Sequence, residues 1–304
     1  MRYAQHLLAG DVPAAKLTAV HRRDAPSGSQ WAQQHHVRYY ESLDALIAAP
    51  EVELVVVVLP PAWHPSALRL CAAAGKPVLV EKPLGVDPEE TRLAVELAQR
   101  ASIPAMVAQT LRYNSIVVRL RELIADLGEI SLIAINQRFE PIDRTWLDQL
   151  EHGGLIFNTG IHGIDLARHL VGGRITQAVA LRRVDPERQT ESAFASAFWL
   201  EPGHVLVTLD NTRTTSARSG RVEICGSQGQ LIADHVNHYV ARVRGNGLLP
   251  LSVPEPVPTV RETLRAFVDA VLEARPVPIP LVEGLAAVEA AAMIRRACAD
   301  EPPR

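Results

Sequence analysis

The chain has 304 residues, 47% of them hydrophobic and 21% charged, with a formal net charge of −3. At roughly 150 residues per domain this is room for two globular domains with sizeable cores. The charge makes no electrostatic case for nucleic acid or a membrane surface as partner. Cys71, Cys225 and Cys298 are odd in number, far apart and without metal-ligand spacing. They fit reduced thiols in a cytoplasmic protein and no metal site. No apolar run approaches the roughly 18 residues that span a bilayer, and residues 1–10 lack the sustained apolar core of a secretory signal.

Residues 1–8 carry Tyr3, Leu7 and Leu8 at helical spacing and end at Gly10. Residues 16–20 read as a strand that exits into His21-Arg22-Arg23. Residues 29–36 read as a helix, Tyr39-Tyr40 as a connection, and 42–48 as a short helix with Ser42 as its N-cap. Two apolar runs, 52–58 and 77–80, flank a helical stretch at 64–75 closed by Gly75, which makes one βαβ unit. Asp87-Pro88-Glu89-Glu90 opens an amphipathic helix over 87–101 with a cap, a proline and an acidic first turn. A strand at 104–107 and a helix at 116–127, ended by Gly128, follow.

From there strands succeed one another without helices between them, at 130–139, 178–182, 192–200, 205–212 and 220–225. Glu201-Pro202-Gly203 and Gly226-Ser227-Gln228-Gly229 are turns between them. The pattern predicts an α+β unit with a large, mostly antiparallel sheet behind an α/β unit. Helices at 259–274 and 281–299 close the chain around a proline-rich turn at 276–280. The expected division is 1–108 and 109–304, with the closing helices packing back on the first unit.

Two stretches concentrate chemistry. Val78-Leu79-Val80-Glu81-Lys82-Pro83-Leu84 ends a buried strand in a carboxylate, an ammonium and a proline. Open α/β sheets bind ligands at that end of their strands, although by itself Lys82 reads as an ordinary solvated lysine. The second stretch runs from Gly153-Gly154 to Asp165-Leu166. Asn158, His162, Asp165 and His169, spaced by four, three and four, share one face of a regular helix. Polar groups on a packing helix are costly unless they line a cavity or pair internally. Taken singly, His162 reads equally as a satisfied core histidine, and Asp165 has a supporting role, paired with Arg168 or His169.

These stretches occur in a longer ordered set. Leu59-Pro60-Pro61 and His64, Ala74-Gly75-Lys76-Pro77, Glu81-Lys82-Pro83 and Arg112-Tyr113-Asn114 come first. Gly128-Glu129-Ile130, Gly153-Gly154 with Asn158, Gly160, His162 and Asp165, and Gly226-Ser227-Gln228-Gly229 follow. Over nearly its whole length the chain resembles the family of glucose–fructose oxidoreductase, inositol dehydrogenase and the rhizopine-catabolism protein (Gfo/Idh/MocA). The resemblance implies a Rossmann-type domain and then a sheet-based substrate domain that also assembles homodimers or homotetramers. It implies hydride transfer between NAD or NADP and a hydroxyl or keto carbon of a sugar, cyclitol or nucleotide sugar.

On the same resemblance, Lys82 would touch the reacting hydroxyl, Pro83 would help place it and the nicotinamide, and His162 would exchange the hydroxyl proton. An alkoxide that develops as hydride leaves needs a cation beside it and a base on its proton. The resemblance therefore assigns catalysis to Lys82, His162 and Asn158. It assigns the cofactor to Arg22, Arg23, Leu59, Pro60, His64, Glu81, Lys82, Pro83 and Gln109. Substrate contacts fall to Lys82, Arg112, Tyr113, Asn158, His162 and Asp165.

The chain departs from the family in three places. The family opens with a strand and a G-x-G-x-x-G turn, whereas here residues 1–8 look like the helix just after the last glycine. That strand is central in the Rossmann order and its turn holds the pyrophosphate. Its absence is expected to expose neighbouring strands and weaken dinucleotide binding, and the expectation is a start assigned too late or a fragment. Arg22 and Arg23 stand where an acidic residue often holds the ribose hydroxyls, which points to NADP over NAD; the alternative is a pair of surface arginines. Asn158 replaces a common aspartate, and an amide cannot serve as a base. The run Phe157-Asn158-x-Gly160-Ile161-His162 is similar to that of members acting on sugar nucleotides. Two other readings stand beside the dehydrogenase: a non-catalytic sugar-binding or scaffold member without a working cofactor site, and a hydrolase that uses NAD transiently.

Overall fold

The structure, a computed structural model, describes residues 2–141, 150–187 and 189–299. The chain opens with α1 (Arg2–Leu8) and then alternates β1 (Ala19–Val20), α2 (Ala25–Gln34), β2 (Arg38–Tyr39), α3 (Leu43–Ala48) and β3 (Val55–Val57). It continues through α4 (His64–Ala73), β4 (Val78–Glu81), α5 (Pro88–Arg100) and β5 (Ala105–Ala108). These strands pair only in parallel, which requires crossovers, and the helices supply them. Local chemistry starts two of the helices. Ser42 Oγ accepts the Ala45 N–H at 3.1 Å, and the Asp87 carboxylate accepts the Glu90 N–H at 2.8 Å. Each satisfies a donor that the first turn leaves without an intrahelical partner. β4 and β5 are enclosed on both faces, with Val78, Leu79, Val80, Met106 and Val107 fully buried, as strands covered by helices on either side must be.

This parallel sheet is in two pieces. β1 pairs with β2, β3 pairs with β4, β4 pairs with β5, and among the described residues no strand joins β1 to β3. The break falls where the resemblance places the family's central strand. Beside it Ala19 and Val20 are only half-buried, while Val55 and Val57 remain in the core. The exposure expected of neighbouring strands is seen at β1 and at Val58, directly after β3, which is 52% exposed.

Three local expectations change here. Tyr39 is not in a connection but in β2, because Arg38 and Tyr39 stand in parallel register with Ala19 and Val20. Two residues carry too little periodicity to announce a strand. The strand expected over 16–20 contracts to Ala19–Val20 for want of a longer partner. α2 starts at Ala25, ahead of the expected 29, behind Asp24 and with Pro26 in its first turn, where the missing proline N–H costs no bond.

A 3-10 turn (Thr110–Tyr113) leads into α6 (Ser115–Leu123), whose 3-10 extension stops at Gly128 with φ +71°, a conformation suited to glycine. Beyond it lie β6 (Ile130–Arg138), α7 (Ile161–Val171), β7 (Arg174–Val184), β8 (Glu191–Glu201), β9 (Val205–Thr212) and β10 (Ser219–Gly226). β11 (Gly229–Asp234), β12 (Tyr239–Arg244), β13 (Gly247–Pro250), α8 (Thr259–Leu272), α9 (Leu281–Ala297) and β14 (Cys298–Ala299) complete the chain. The strands form one nine-stranded sheet in the order β13-β12-β11-β10-β6-β9-β8-β7-β14. Only β6–β9 and β7–β14 are parallel neighbours, so the sheet is mixed and mostly antiparallel. β11 to β14 go beyond the strands the sequence predicts; they are short and gain their definition from their neighbours.

Alternation along β9 turns Val205, Val207, Leu209 and Asn211 inward. α7 lies on that face, so close that a Cβ on Gly163 would come within 2.5 Å of Leu209 Cδ1. α9 packs against α5 and β5 on one side and α7 and β7 on the other, with Gly284 set against Val107 and Leu84. The closing helix therefore holds the ends of β4 and β5 near the start of α7.

Candidate active site

The Glu81-Lys82-Pro83 segment leaves β4 anchored on several sides. Tyr3 donates its hydroxyl to Glu81 Oε1 at 2.9 Å, and the Lys82 backbone N–H donates to Glu81 Oε2 at 3.0 Å. Burial, with the Glu81 charge beside it, keeps the Tyr3 phenol protonated far above its ordinary range. His64, 1% exposed, places Nδ1 2.7 Å from the Pro83 carbonyl oxygen and Nε2 2.7 Å from that of Leu59. The Lys82 ammonium then reaches across to the second half of the chain and donates to the backbone oxygen of Asn158 at 2.6 Å.

That oxygen belongs to a widened, π-type turn over Ile156–Gly160, directly before α7. Such turns recur at functional sites because they break the regular ladder. Asn158 and His162 consequently do not sit on one uninterrupted α-helix, as their spacing suggested. Lys82 meets the main chain at Asn158, an acceptor that any residue type there would provide.

The charge states in this cluster diverge. Burial pushes the Lys82 ammonium down to about 8, with Glu81 pulling it up and Arg213 pushing it further down. Burial, then the nearby Lys82 and His235, hold His162 well below the ordinary imidazole range. His235 is lowered to about 4 by burial, against an opposing pull from Asp234. At neutral pH the site thus combines a cationic lysine with neutral imidazoles.

Among the described residues, several enclosed polar atoms have no hydrogen-bond partner: both amide atoms of Gln109, Tyr113 Oη, Asn158 Nδ2, His162 Nδ1 and His235 Nε2. Buried polar atoms are ordinarily paired, so these are the positions a polar ligand would satisfy. Gln109 follows β5 directly, next to Ala108, which stands in register with Glu81.

Arg112 and Asp165 are brought together, but onto each other. Arg112 Nε and Nη2 donate to Asp165 at distances from 2.6 to 3.2 Å, and Nη2 also reaches Glu283 at 2.7 Å. Arg168 donates to Glu283 at 3.3 Å, so Asp165 is paired with Arg112 in place of the expected Arg168 or His169. Burial raises the Asp165 pKa and the Arg112 guanidinium opposes it. Arg22 and Arg23 lie at the exit of β1, half-buried and exposed respectively, and Leu59 and Pro60 lie half-buried at the exit of β3. Among the described residues no cluster of three His, Cys, Asp or Glu side chains is placed to hold a metal ion, and no helix is long and apolar enough to cross a membrane.

Residues 2–109 match the oxidoreductase family with an NAD-binding Rossmann fold, and residues 117–232 match the GFO/IDH/MocA C-terminal domain. The chain belongs to the GFO/IDH/MocA family. Curated relatives include the inositol 2-dehydrogenase of Rhizobium meliloti, 25% identical over 204 residues, which are 64% of this chain and 61% of that protein. The trans-1,2-dihydrobenzene-1,2-diol dehydrogenase of Homo sapiens is 27% identical over 223 residues, 69% of this chain and 66% of that one. The chain thus spans 61% and 66% of the length of these two relatives. Among solved structures, the UDP-N-acetylglucosamine 3-dehydrogenase from Acidithiobacillus ferrooxidans superposes with a TM-score of 0.85 at 22% identity. It covers 98% of this chain and 93% of that one, a match of fold.

In this GFO/IDH/MocA chain the sequence motifs pass over Tyr3, Arg213, His235 and Glu283. Tyr3 lies 78 positions from the carboxylate it holds, and Glu283 lies 171 from Arg112. His235 follows β11, a strand the hydrophobic pattern does not reveal. No spacing rule connects such positions; only the packing of α1, α9 and the sheet does.

Proposed function

We propose that the chain binds NADP or NAD and transfers hydride between the nicotinamide and a hydroxyl-bearing carbon of a sugar, cyclitol or nucleotide sugar. The observation that carries this reading is the juxtaposition of Lys82, from the end of β4, with the Asn158–His162 turn, the Lys82 ammonium lying 2.6 Å from the Asn158 backbone oxygen. His162, neutral, accepts the hydroxyl proton, and the Lys82 ammonium faces the alkoxide that develops. The bound nicotinamide supplies the hydride chemistry. Gln109, with both amide atoms unpartnered, fits a polar planar group beside Lys82, and Leu59, Pro60 and Pro83 fit its apolar faces. Arg22 and Arg23 fit a 2′-phosphate. Membership of a dehydrogenase family supports the same reading.

Titration of the tryptophan fluorescence with NADPH and with NADH tests it. Saturable binding is expected, with NADPH preferred. Replacing Arg22 and Arg23 together by alanine is expected to weaken NADPH by about tenfold or more and NADH little. No saturable binding of either would leave a sugar-binding protein without a working cofactor site. A screen of polyols, cyclitols and nucleotide sugars, followed at the nicotinamide absorbance, then defines the substrate. Product formed without net change in the cofactor would favour the hydrolase that uses NAD transiently.

The reading includes a second copy of the chain. α7 and α9 pack on one face of the nine-stranded sheet, whereas Val179 and Leu181 on β7 point to the other and are 63% and 64% exposed. An apolar face of this kind suits self-association. Light scattering is expected to give a dimer or tetramer, and the Val179→Asp, Leu181→Arg double variant a smaller species. A wild-type monomer at micromolar concentration would remove this part of the reading.

A further inference from the structure

We propose that His64 is a positioning residue, which ties the strand exit bearing Lys82 to the neighbouring exit at Leu59 and so sets where the Lys82 ammonium lies. This rests on the reading of Lys82 as a proton-handling group. It replaces the direct cofactor contact that the resemblance implied for His64.

The geometry is a ring, carried by the chain that leaves β3, set against the backbone that leaves β4. β3 and β4 pair in register as far as Val57 and Val80. β3 ends there and its chain leaves the sheet as Val58-Leu59-Pro60, whereas β4 runs one residue further, to Glu81 in register with Ala108, before leaving as Lys82-Pro83. The His64 ring, at the first turn of α4, stands between them with Nδ1 and Nε2 each 2.7 Å from a carbonyl oxygen, of Pro83 and of Leu59. It continues the link after the ladder has stopped. Both ring nitrogens face carbonyl oxygens and the residue is 1% exposed, so the ring turns no polar atom toward a ligand; burial lowers its pKa to about 4 and keeps it neutral. A neutral ring donates to one carbonyl at a time, and its tautomer decides which.

The clamp acts on a particular part of the loop. Upstream of Lys82, Glu81 is already held by Tyr3 and by the Lys82 N–H. Downstream, the Pro83 carbonyl is held by His64 in the tautomer that carries its proton on Nδ1, the tautomer we assign. Loss of the ring therefore leaves the strand anchored and frees the segment from Lys82 onward, whose ammonium now sits 2.6 Å from the Asn158 oxygen. A lysine released from that enclosed position regains water and titrates closer to its ordinary value.

The chain has only the lysines Lys16, Lys76 and Lys82, so labelling the full-length protein with lysine carrying 13C at Cε yields few signals. Lys82→Met identifies the one that belongs to Lys82, whose charged or titratable neighbours are Glu81, Arg213, His162 and His64 itself, which is neutral where Lys82 titrates. In His64→Phe the Lys82 midpoint is expected to rise by at least about half a pH unit. His64→Asn, which keeps a donor, is expected to restore part of the wild-type value. Cys71→Ala, a cavity on the same helix, is expected to leave it in place. An unchanged midpoint in His64→Phe, or an equal rise in Cys71→Ala, would overturn the proposal. Should His64→Phe not fold, the wild-type protein decides by 15N-histidine spectra. A slowly exchanging His64 ring N–H is expected, and rapid exchange of both ring positions would overturn the clamp. Neither measurement uses nicotinamide or substrate, so its failure is separate from failure of the oxidoreductase reading.

Discussion

Replacing Lys82 by methionine is expected to lower nicotinamide-dependent turnover by about a thousandfold or more, while the protein stays folded with an equal or higher melting temperature. Methionine fills a similar volume without the charge. The charge is what the fold resists: burial holds the ammonium down to about 8 from an ordinary lysine value of 10.5. Between those values the unfolded chain binds more protons than the folded one. Stability therefore rises with pH through this window, and the charged lysine costs stability below it. Steady-state kinetics and differential scanning calorimetry read the two arms. Turnover retained within tenfold would take Lys82 out of the chemistry.

The same titration predicts a pH profile. His162 is already neutral across the working range, because its pKa lies well below the ordinary imidazole value. The limb of kcat/KM for alcohol oxidation that falls at high pH is then set by Lys82 losing its proton near pH 8. Lys82→Arg, if it turns over at all, is expected to move that limb upward, since a guanidinium does not titrate there.

Asp165→Ala is expected to destabilise the protein by about 3 kcal/mol, the lower end of the cost of breaking a buried ion pair, because Arg112 keeps its second carboxylate partner, Glu283. The Asp165 side chain is 2% exposed and that of Arg112 12% exposed. With the carboxylate gone, the guanidinium keeps Glu283 alone, and the tie between the Thr110–Tyr113 turn, α7 and α9 is weakened. Asp165→Asn preserves the shape and some hydrogen bonding, and is expected to cost roughly half as much. Urea unfolding measures both. A loss below about 1 kcal/mol for Asp165→Ala would show the network to be dispensable for stability and would return Asp165 to substrate binding, as its motif first suggested.

What the sequence determined by itself was whatever depends on near neighbours. The alternation of apolar runs and amphipathic helices located β3, α4, β4, α5 and β5, because periodicity is read within a dozen residues. Ser42 and Asp87 announced their helices because a cap acts within one turn. The ordered motifs around Lys82 and His162 marked the stretches that the fold brings together. Tertiary structure decided what depends on distant partners. β2 is a strand only because β1 lies beside it, and β11 to β14 are defined by the sheet they extend. The wide turn at Ile156–Gly160 changed which atom of Asn158 meets Lys82. Asp165 passed over its helical neighbours for Arg112, 53 positions away. His64 turned both nitrogens to carbonyls that lie 5 and 19 positions off. Each of these contacts is selected by the packing of whole elements, and no local pattern of residues encodes it.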